Sequence, residues 1–306
     1  MDRVIDEAVR ILRAGGLVAF PTETVYGLGA DATNERAVRR IFAVKGRPSA
    51  HPLIVHLHDV EQAEAWAAEL PETARKLATA FWPGPLTIVV ARAEGVLDAV
   101  TGGQSTVALR VPSHPIAREL LAAFGGGIAA PSANRYGRVS PTTAAHVRED
   151  LGNDVDLVLD GGACAVGVES TIVDCSAGGA AILRPGGVTR EEIESVAGPA
   201  TLPGGARVPG STASHYAPRA RIVIVERLDP SPFAGKRVAA LSPERIEGME
   251  WIEIPRDPAA LARDLYAILR EVDRRGIEVA LVRPPTEQGL GAAVADRLRK
   301  AAGPRE

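Results

Sequence analysis

The chain has 306 residues and a mass of 32.0 kDa, and its 35 basic and 38 acidic side chains leave a formal charge of −3. Hydrophobic residues at 46% and charged residues at 24% are ordinary for a globular protein and exclude collagen, coiled coil and intrinsic disorder; the length points to two domains. The longest uncharged apolar stretch, 120–131, has 12 residues with three glycines, against about 20 for a membrane helix, so no transmembrane segment and no membrane partner are expected.

Met1-Asp2-Arg3 opens an amphipathic pattern without the apolar region of a signal peptide. The two cysteines, Cys164 and Cys175, form no CxxC pair and suggest neither a disulfide framework nor a structural zinc. A cytoplasmic protein is expected. Aromatic residues, at 4%, are too scarce for a stacked-ring platform for single-stranded nucleic acid. Residues 206–306 hold 17 basic and 14 acidic side chains, which leaves 1–205 net acidic. Neither half has the basic excess of a general nucleic-acid binder, and no tight nucleic-acid binding is expected.

In chain order, Ile5, Ala8, Val9 and Leu12 at helical spacing predict a helix over 5–12 with Gly15-Gly16 as its stop. A buried strand over 17–20 ends at Pro21; a helix follows over 34–44, a strand over 52–57, and a helix over 73–81 broken by Trp82-Pro83-Gly84-Pro85. Strands are expected over 86–90, 106–111, 156–159, 171–174 and 180–183, with helices over 115–124 and 189–196. The last opens with Thr189 and Glu192 at capping-box spacing. From 198 to 219 prolines and glycines crowd the chain and periodicity fails, as in an interdomain linker. Beyond it, strands over 221–225, 237–241, 251–254 and 278–282 alternate with helices over 259–274 and 290–301, an α/β unit with a largely parallel sheet. The expected division is 1–200, a linker over 201–219, and 220–306.

The chain has no GxxxxGK[ST] phosphate loop, GxSxG elbow or HExxH. Segments 27–32 and 125–130 formally fit GxGxxA, but the first runs into a loop and the second precedes a strand where the fingerprint should follow one. The informative residues stand in loops after strands, where open α/β sheets bind ligands. Pro21-Thr22-Glu23-Thr24-Val25-Tyr26-Gly27 follows the first strand. Lys45-Gly46-Arg47-Pro48 ends the second helix; its lysine is one of only four in the chain, and a point charge beside a planar guanidinium suits a polyphosphate. His51 and His56 flank the next strand. Arg110, in an otherwise apolar run, needs an anionic partner if buried: a ligand carboxylate or an internal Asp or Glu. Ala130-Pro131-Ser132-Ala133-Asn134, Ser140-Pro141-Thr142, Gly167-Val168-Glu169-Ser170-Thr171 and Leu183-Arg184-Pro185-Gly186 supply hydroxyls, an amide and a cation; such groups hold phosphate oxygens or close turns. Dispersed cations and hydroxyls, without a nucleophile motif, suit a site that gathers an anionic nucleotide and a small anionic co-substrate and works by positioning and charge stabilisation.

These motifs, with Trp82-Pro83-Gly84-Pro85-Leu86-Thr87 and His215-Tyr216-Ala217-Pro218, resemble the threonylcarbamoyl-AMP synthase family in its long, two-domain form. The resemblance implies a twisted α/β open sheet of the YrdC type around a deep, positive cavity, followed by a smaller Rossmann-like α/β domain. It implies formation of threonylcarbamoyl-AMP and pyrophosphate from L-threonine, bicarbonate and ATP with Mg²⁺, for a downstream tRNA threonylcarbamoyl transferase complex. By the same resemblance Thr24, His56, Arg110, the backbone at Ala130, and Ser170 hold threonine, with Arg110 on its carboxylate. Lys45, Arg47, His51, Thr106, Ser132, Asn134, Ser140, Arg184 and Tyr216 hold ATP, and Lys45 and Arg47 neutralise its phosphates during the reaction. Tyr216 belongs to a lid. The family's Pro-Gly-Met segment with following basic and aromatic residues is here Pro209-Gly210-Ser211-Thr212-Ala213-Ser214, without the basic residue. Two alternatives have their own marks: an RNA-binding factor using the cavity, and a carbamoyl-transferring domain of the hydrogenase-maturation type, whose zinc-finger and acylphosphatase-like segments this chain lacks.

Overall fold

The computed structural model describes residues 2–201, 208–210 and 214–304. Residues 202–207 and 211–213 of the expected linker, among them Ser211, Thr212 and Ala213, lie outside the described residues, as does Met1.

Helix α1 (Asp2–Arg13) buries Ile5, Ala8, Val9 and Leu12 against Ala117, Leu120 and Leu121 of α5 (Pro115–Phe124). The chain then enters β1 (Val18–Phe20), and the polar 21–26 loop returns it antiparallel as β2 (Gly27–Asp31). No strand is expected here from the sequence. Gly-Leu-Gly-Ala-Asp has little strand propensity, but it pairs on both sides, with β1 and with β6 (Ile128–Ala129). A Cβ on Gly29 would stand 2.8 Å from the Phe20 ring and 2.9 Å from Ile128, so the two neighbours close over a strand that only glycine lets them approach.

Helix α2 (Glu35–Lys45) is capped by Asn34, whose side chain accepts from the Ala37 N–H, and ends in Gly46. The sheet is completed by β3 (Ile54–His56), β4 (Leu86–Ala91), β5 (Thr106–Arg110), β7 (Leu157–Val158), β8 (Thr171–Asp174) and β9 (Ala181–Arg184). Its order is β7-β1-β2-β6-β3-β5-β4-β8-β9. Around it pack α3 (Glu72–Phe81), the short α4 (Asp98–Thr101), α6 (Ala144–Leu151) and α7 (Arg190–Ala197), which carries the expected capping box. Helix α6 was not expected from the sequence: its Thr143 cap accepts from the His146 N–H, while its apolar spacing is slight.

The second unit has β10 (Arg221–Ile224), β11 (Val238–Ser242), β12 (Glu250–Glu253), α8 (Pro258–Arg274), β13 (Val279–Val282) and α9 (Leu290–Ala301). Its four strands, ordered β10-β13-β11-β12, are all parallel. The expected α/β architecture, a twisted open sheet followed by a smaller α/β unit, is the one observed. The two units share apolar packing: Val25, Val139 and Val168 of the first belong to the cluster built from Leu261, Leu265 and Tyr266 of α8. Among the described residues no helix is long and apolar enough to cross a membrane.

Candidate active site

Loops after β1 and β6, the ends of β3, β5 and β9, the turn before β8 and the segments 209–210 and 215–216 line one cavity. Parallel pairing of β3 with β5 sets His56 directly beside Arg110. Arg110 is 4% exposed. Its Nη2 donates to Glu23 Oε1 at 2.7 Å, Nη1 to Thr24 Oγ1 at 2.9 Å and Nε to the Gly84 carbonyl at 3.3 Å. Of the two partners left open by the sequence, the internal carboxylate is present here; two of the five guanidinium N–H bonds remain uncommitted among the described residues. Burial pushes the Glu23 carboxyl up, but the Arg110 charge and hydrogen bonds from Arg110 and backbone N–H groups outweigh it and hold it below the usual carboxylate range. Thr24 passes the bond on to Thr22 Oγ1 at 2.8 Å, which donates to the Val25 carbonyl at 2.6 Å and fixes the loop.

His56 is buried beside this cation; burial and the Arg110 charge push its imidazole down to about 3, so it is neutral near pH 7. Its Nδ1 has no partner among the described residues. Arg47 donates to the Pro52 carbonyl at 3.0 Å, and burial lowers it to about 10, which leaves it charged. Arg184 donates to the Pro209 carbonyl at 2.9 Å and to the Ser170 carbonyl at 2.8 Å. Ser170 Oγ stands 2.7 Å from Thr87 Oγ1. Ser132 completes the wall, and Ala130 donates its N–H to Ile54 O at 2.9 Å, leaving its carbonyl as the group it can offer.

Thr24, Arg47, His56, Arg110, Ala130, Ser132, Ser170, Arg184 and Tyr216 thus line one cavity. The other expected site residues do not reach its wall. Lys45 is buried under the 132–134 loop, its Nζ donating to the carbonyls of Ser132 at 2.5 Å and Asn134 at 2.6 Å. Burial and the Arg47 charge push it well below its ordinary value. The Asn134 amide closes its own turn onto the carbonyls of Arg135 and Arg138, both at 2.8 Å. Ser140 spends its hydroxyl on Glu169 Oε1 at 2.7 Å. His51 is half-buried with its ring edge-on to Tyr136, and Thr106 begins β5, at the opposite end from Arg110.

Sequence reasoning missed the group behind Glu169, the one carboxylate in the wall among the described residues. Besides Ser140 it accepts from Tyr266 Oη at 2.9 and 2.7 Å and from Arg297 Nε at 2.7 Å. Burial raises this carboxyl, but Arg297, Arg184 and the hydrogen bonds bring it down to about 2. Arg297 is fully buried, and its guanidinium lies 5.1 Å from the centre of the Tyr216 ring, which stacks at 5.7 Å on Tyr266. A signal existed: Leu290, Val294, Arg297 and Ala301 share one face of α9, and a charge on an otherwise apolar face needs a buried partner.

Fold and site together define a class: a two-domain α/β protein whose strand-end cavity gathers arginines, is lined in part by the linker residues Pro209, Gly210, His215 and Tyr216, and is backed by the second domain through Glu169. A family model described as telomere recombination (Sua5/YciO/YrdC) matches residues 10–186, and one described as threonylcarbamoyl-AMP synthase, C-terminal domain, matches 188–303. Threonylcarbamoyl-AMP synthases of Pyrococcus abyssi and Bacillus subtilis are 43% and 40% identical, each over 99% of this chain and 96% and 94% of their own. The crystal structure of P. abyssi Sua5 complexed with L-threonine superposes with a TM-score of 0.92 at 43% identity, covering 97% of this chain and 94% of that one. The chain belongs to the threonylcarbamoyl-AMP synthase family.

Proposed function

We propose that the chain is an L-threonylcarbamoyladenylate synthase, a nucleotidyltransferase that forms threonylcarbamoyl-AMP and pyrophosphate from L-threonine, bicarbonate and ATP. The observation that carries this reading is the convergence of Arg47, Arg110 and Arg184, each nearly buried, on one cavity. Arg110, Thr24, neutral His56, Ser170 and the Ala130 carbonyl form the threonine end; the amino acid's carboxylate takes the two N–H bonds of Arg110 that Glu23, Thr24 and Gly84 leave. Arg47, Arg184, Ser132 and Tyr216 form the nucleotide end. Lys45 and Asn134 act one layer back, holding the 132–134 loop in place. Bicarbonate loses water to give carbon dioxide, and the unprotonated threonine amine captures it as a carbamate with release of a proton. A carbamate oxygen attacks the α-phosphorus, and pyrophosphate leaves toward the arginines, which stabilise its growing charge.

Among the described residues no cluster of three or more His, Cys, Asp or Glu forms a metal site, and Glu169 is fully engaged. In this reading Mg²⁺ arrives as part of the nucleotide substrate, carried on its phosphates. The product would pass to a tRNA threonylcarbamoyl transferase complex in the cytoplasm. Pyrophosphate release by the purified chain with MgATP tests the reading, with L-threonine and bicarbonate omitted in turn. Release that requires both is expected; release indifferent to threonine overturns it.

A further inference from the structure

Glu169 sets an electrostatic problem for a cavity built to receive an anion. It is 6% exposed, stands in the wall with Arg184, and the two charges act on each other. Arg184 is already at hand: its Nη2 donates to both the carbonyl and the hydroxyl of Ser170, the next residue in the chain. Ser140 of the same domain donates to the carboxylate, but the cation that pairs with it comes from the other domain. Arg297 on α9 donates Nε to Glu169 Oε2 at 2.7 Å and Nη1 to the Pro185 carbonyl at 3.0 Å, while Tyr266 on α8 takes both carboxylate oxygens. A buried carboxylate left without its cation recruits the nearest other one.

We propose that Arg297 is a positioning residue for the nucleotide phosphates: by neutralising Glu169 it keeps that carboxylate from capturing Arg184, so that the guanidinium of Arg184 stays available to the ligand. The C-terminal domain thereby sets the charge of a site whose wall holds none of its described residues. The inference rests on the nucleotide reading of Arg184 given above.

The test is steady-state pyrophosphate release by the full-length chain, comparing wild type, Arg297→Met and the double variant Glu169→Gln/Arg297→Met. Met keeps bulk against the Tyr216 ring while removing the charge. Arg297→Met is expected to raise the KM for ATP by about tenfold or more, the worth of one contact to a charged group. The double variant, with no carboxylate left to capture Arg184, is expected to return it to within about threefold of wild type; a merely structural role for Arg297 gives no such rescue. An unchanged KM in Arg297→Met, or a double variant no better than the single one, overturns the proposal. If Arg297→Met does not fold, the double variant decides alone, because it removes both members of the buried pair while Asp296, which also loses Arg297, keeps its ion pair with Lys300: an ATP KM more than about threefold above wild type refutes it. A wild-type chain without threonine-dependent release would instead remove the nucleotide reading, and this inference with it.

Discussion

Gly167 and Gly162 form a matched pair that measures how closely the second domain is seated on the first. Both have φ of 78°, in the left-handed region. At Gly162 a Cβ would meet nothing within 4 Å, whereas at Gly167 it would stand 2.3 Å from the Arg263 carbonyl oxygen and 2.4 Å from its Cα, both backbone atoms of α8. Alanine at 162 therefore costs only the left-handed strain, about 1 kcal/mol. Alanine at 167 costs the same strain plus an overpacking that no side-chain rotation relieves, about 1–3 kcal/mol more. Relief requires α8 to move outward, and α8 carries Tyr266, bonded to Glu169, and Arg270, whose Nη2 donates to Asp150 at 2.5 Å and to the Val139 carbonyl at 2.8 Å. Urea denaturation followed by tryptophan fluorescence reads both units, since Trp66 and Trp82 lie in the first and Trp251 in the second. Gly167→Ala is expected to unfold at clearly lower urea than Gly162→Ala, with the Trp251 environment loosening first. Equal midpoints for the two variants would refute the close seating of α8 on this turn.

Two further outcomes follow from groups buried in one protonation state. His56 and His215 are each pushed down to about 3, mainly by burial; the unfolded chain takes up these protons from about pH 6.5 downward while the folded chain refuses them, so stability falls with pH between about 6.5 and 3, by up to about 3 kcal/mol per pH unit for the two together. Glu169 adds its own loss from about pH 4.5 down to 2, because its folded value lies below its unfolded one. Urea midpoints at pH 8, 6.5 and 5 check this, and equal midpoints at pH 6.5 and 5 would contradict the burial of neutral imidazoles. Burial pushes the thiols of Cys164 and Cys175 up to about 12, and both side chains are buried; Ellman's reagent should find no reactive thiol in the native chain and two in urea, and prompt native reaction would refute it.

What the sequence made legible follows from local physics. Strands such as β4, β8 and β13 announce themselves as short apolar runs because both their faces are covered. Strand β2 does not, since it exists only through partners on either side. The site loops were legible because polar residues that directly follow a buried strand stand at its end, beside the ends of its neighbours. What each polar residue does there was not. Ser140, in the loop after β6, and Ser170, in the turn before β8, are both buried, yet one supports Glu169 from behind and the other lines the cavity. That division depends on α8 and α9, whose Tyr266 and Arg297 reach Glu169 across 97 and 128 residues of chain. No local pattern carries contacts of that range.

The buried cations divide by the kind of acceptor that holds them, and the division explains how an acidic chain makes a cavity for an anion. Arg110 and Arg297 face carboxylates, Glu23 and Glu169, so each pair is close to neutral. Lys45, Arg47 and Arg184 are held by carbonyls: those of Ser132 and Asn134, of Pro52, and of Ser170 and Pro209. A carbonyl orients a cation and offsets part of its desolvation without cancelling its charge, so a cluster held this way keeps a positive field directed at its ligand. The formal charge of the whole chain, −3, conceals this because it counts exposed and buried groups alike. Exchanging one such carbonyl contact for a carboxylate would leave the geometry almost unchanged and remove the field. Glu169 is the carboxylate best placed to do so, and it is kept from doing so by an arginine of the other domain.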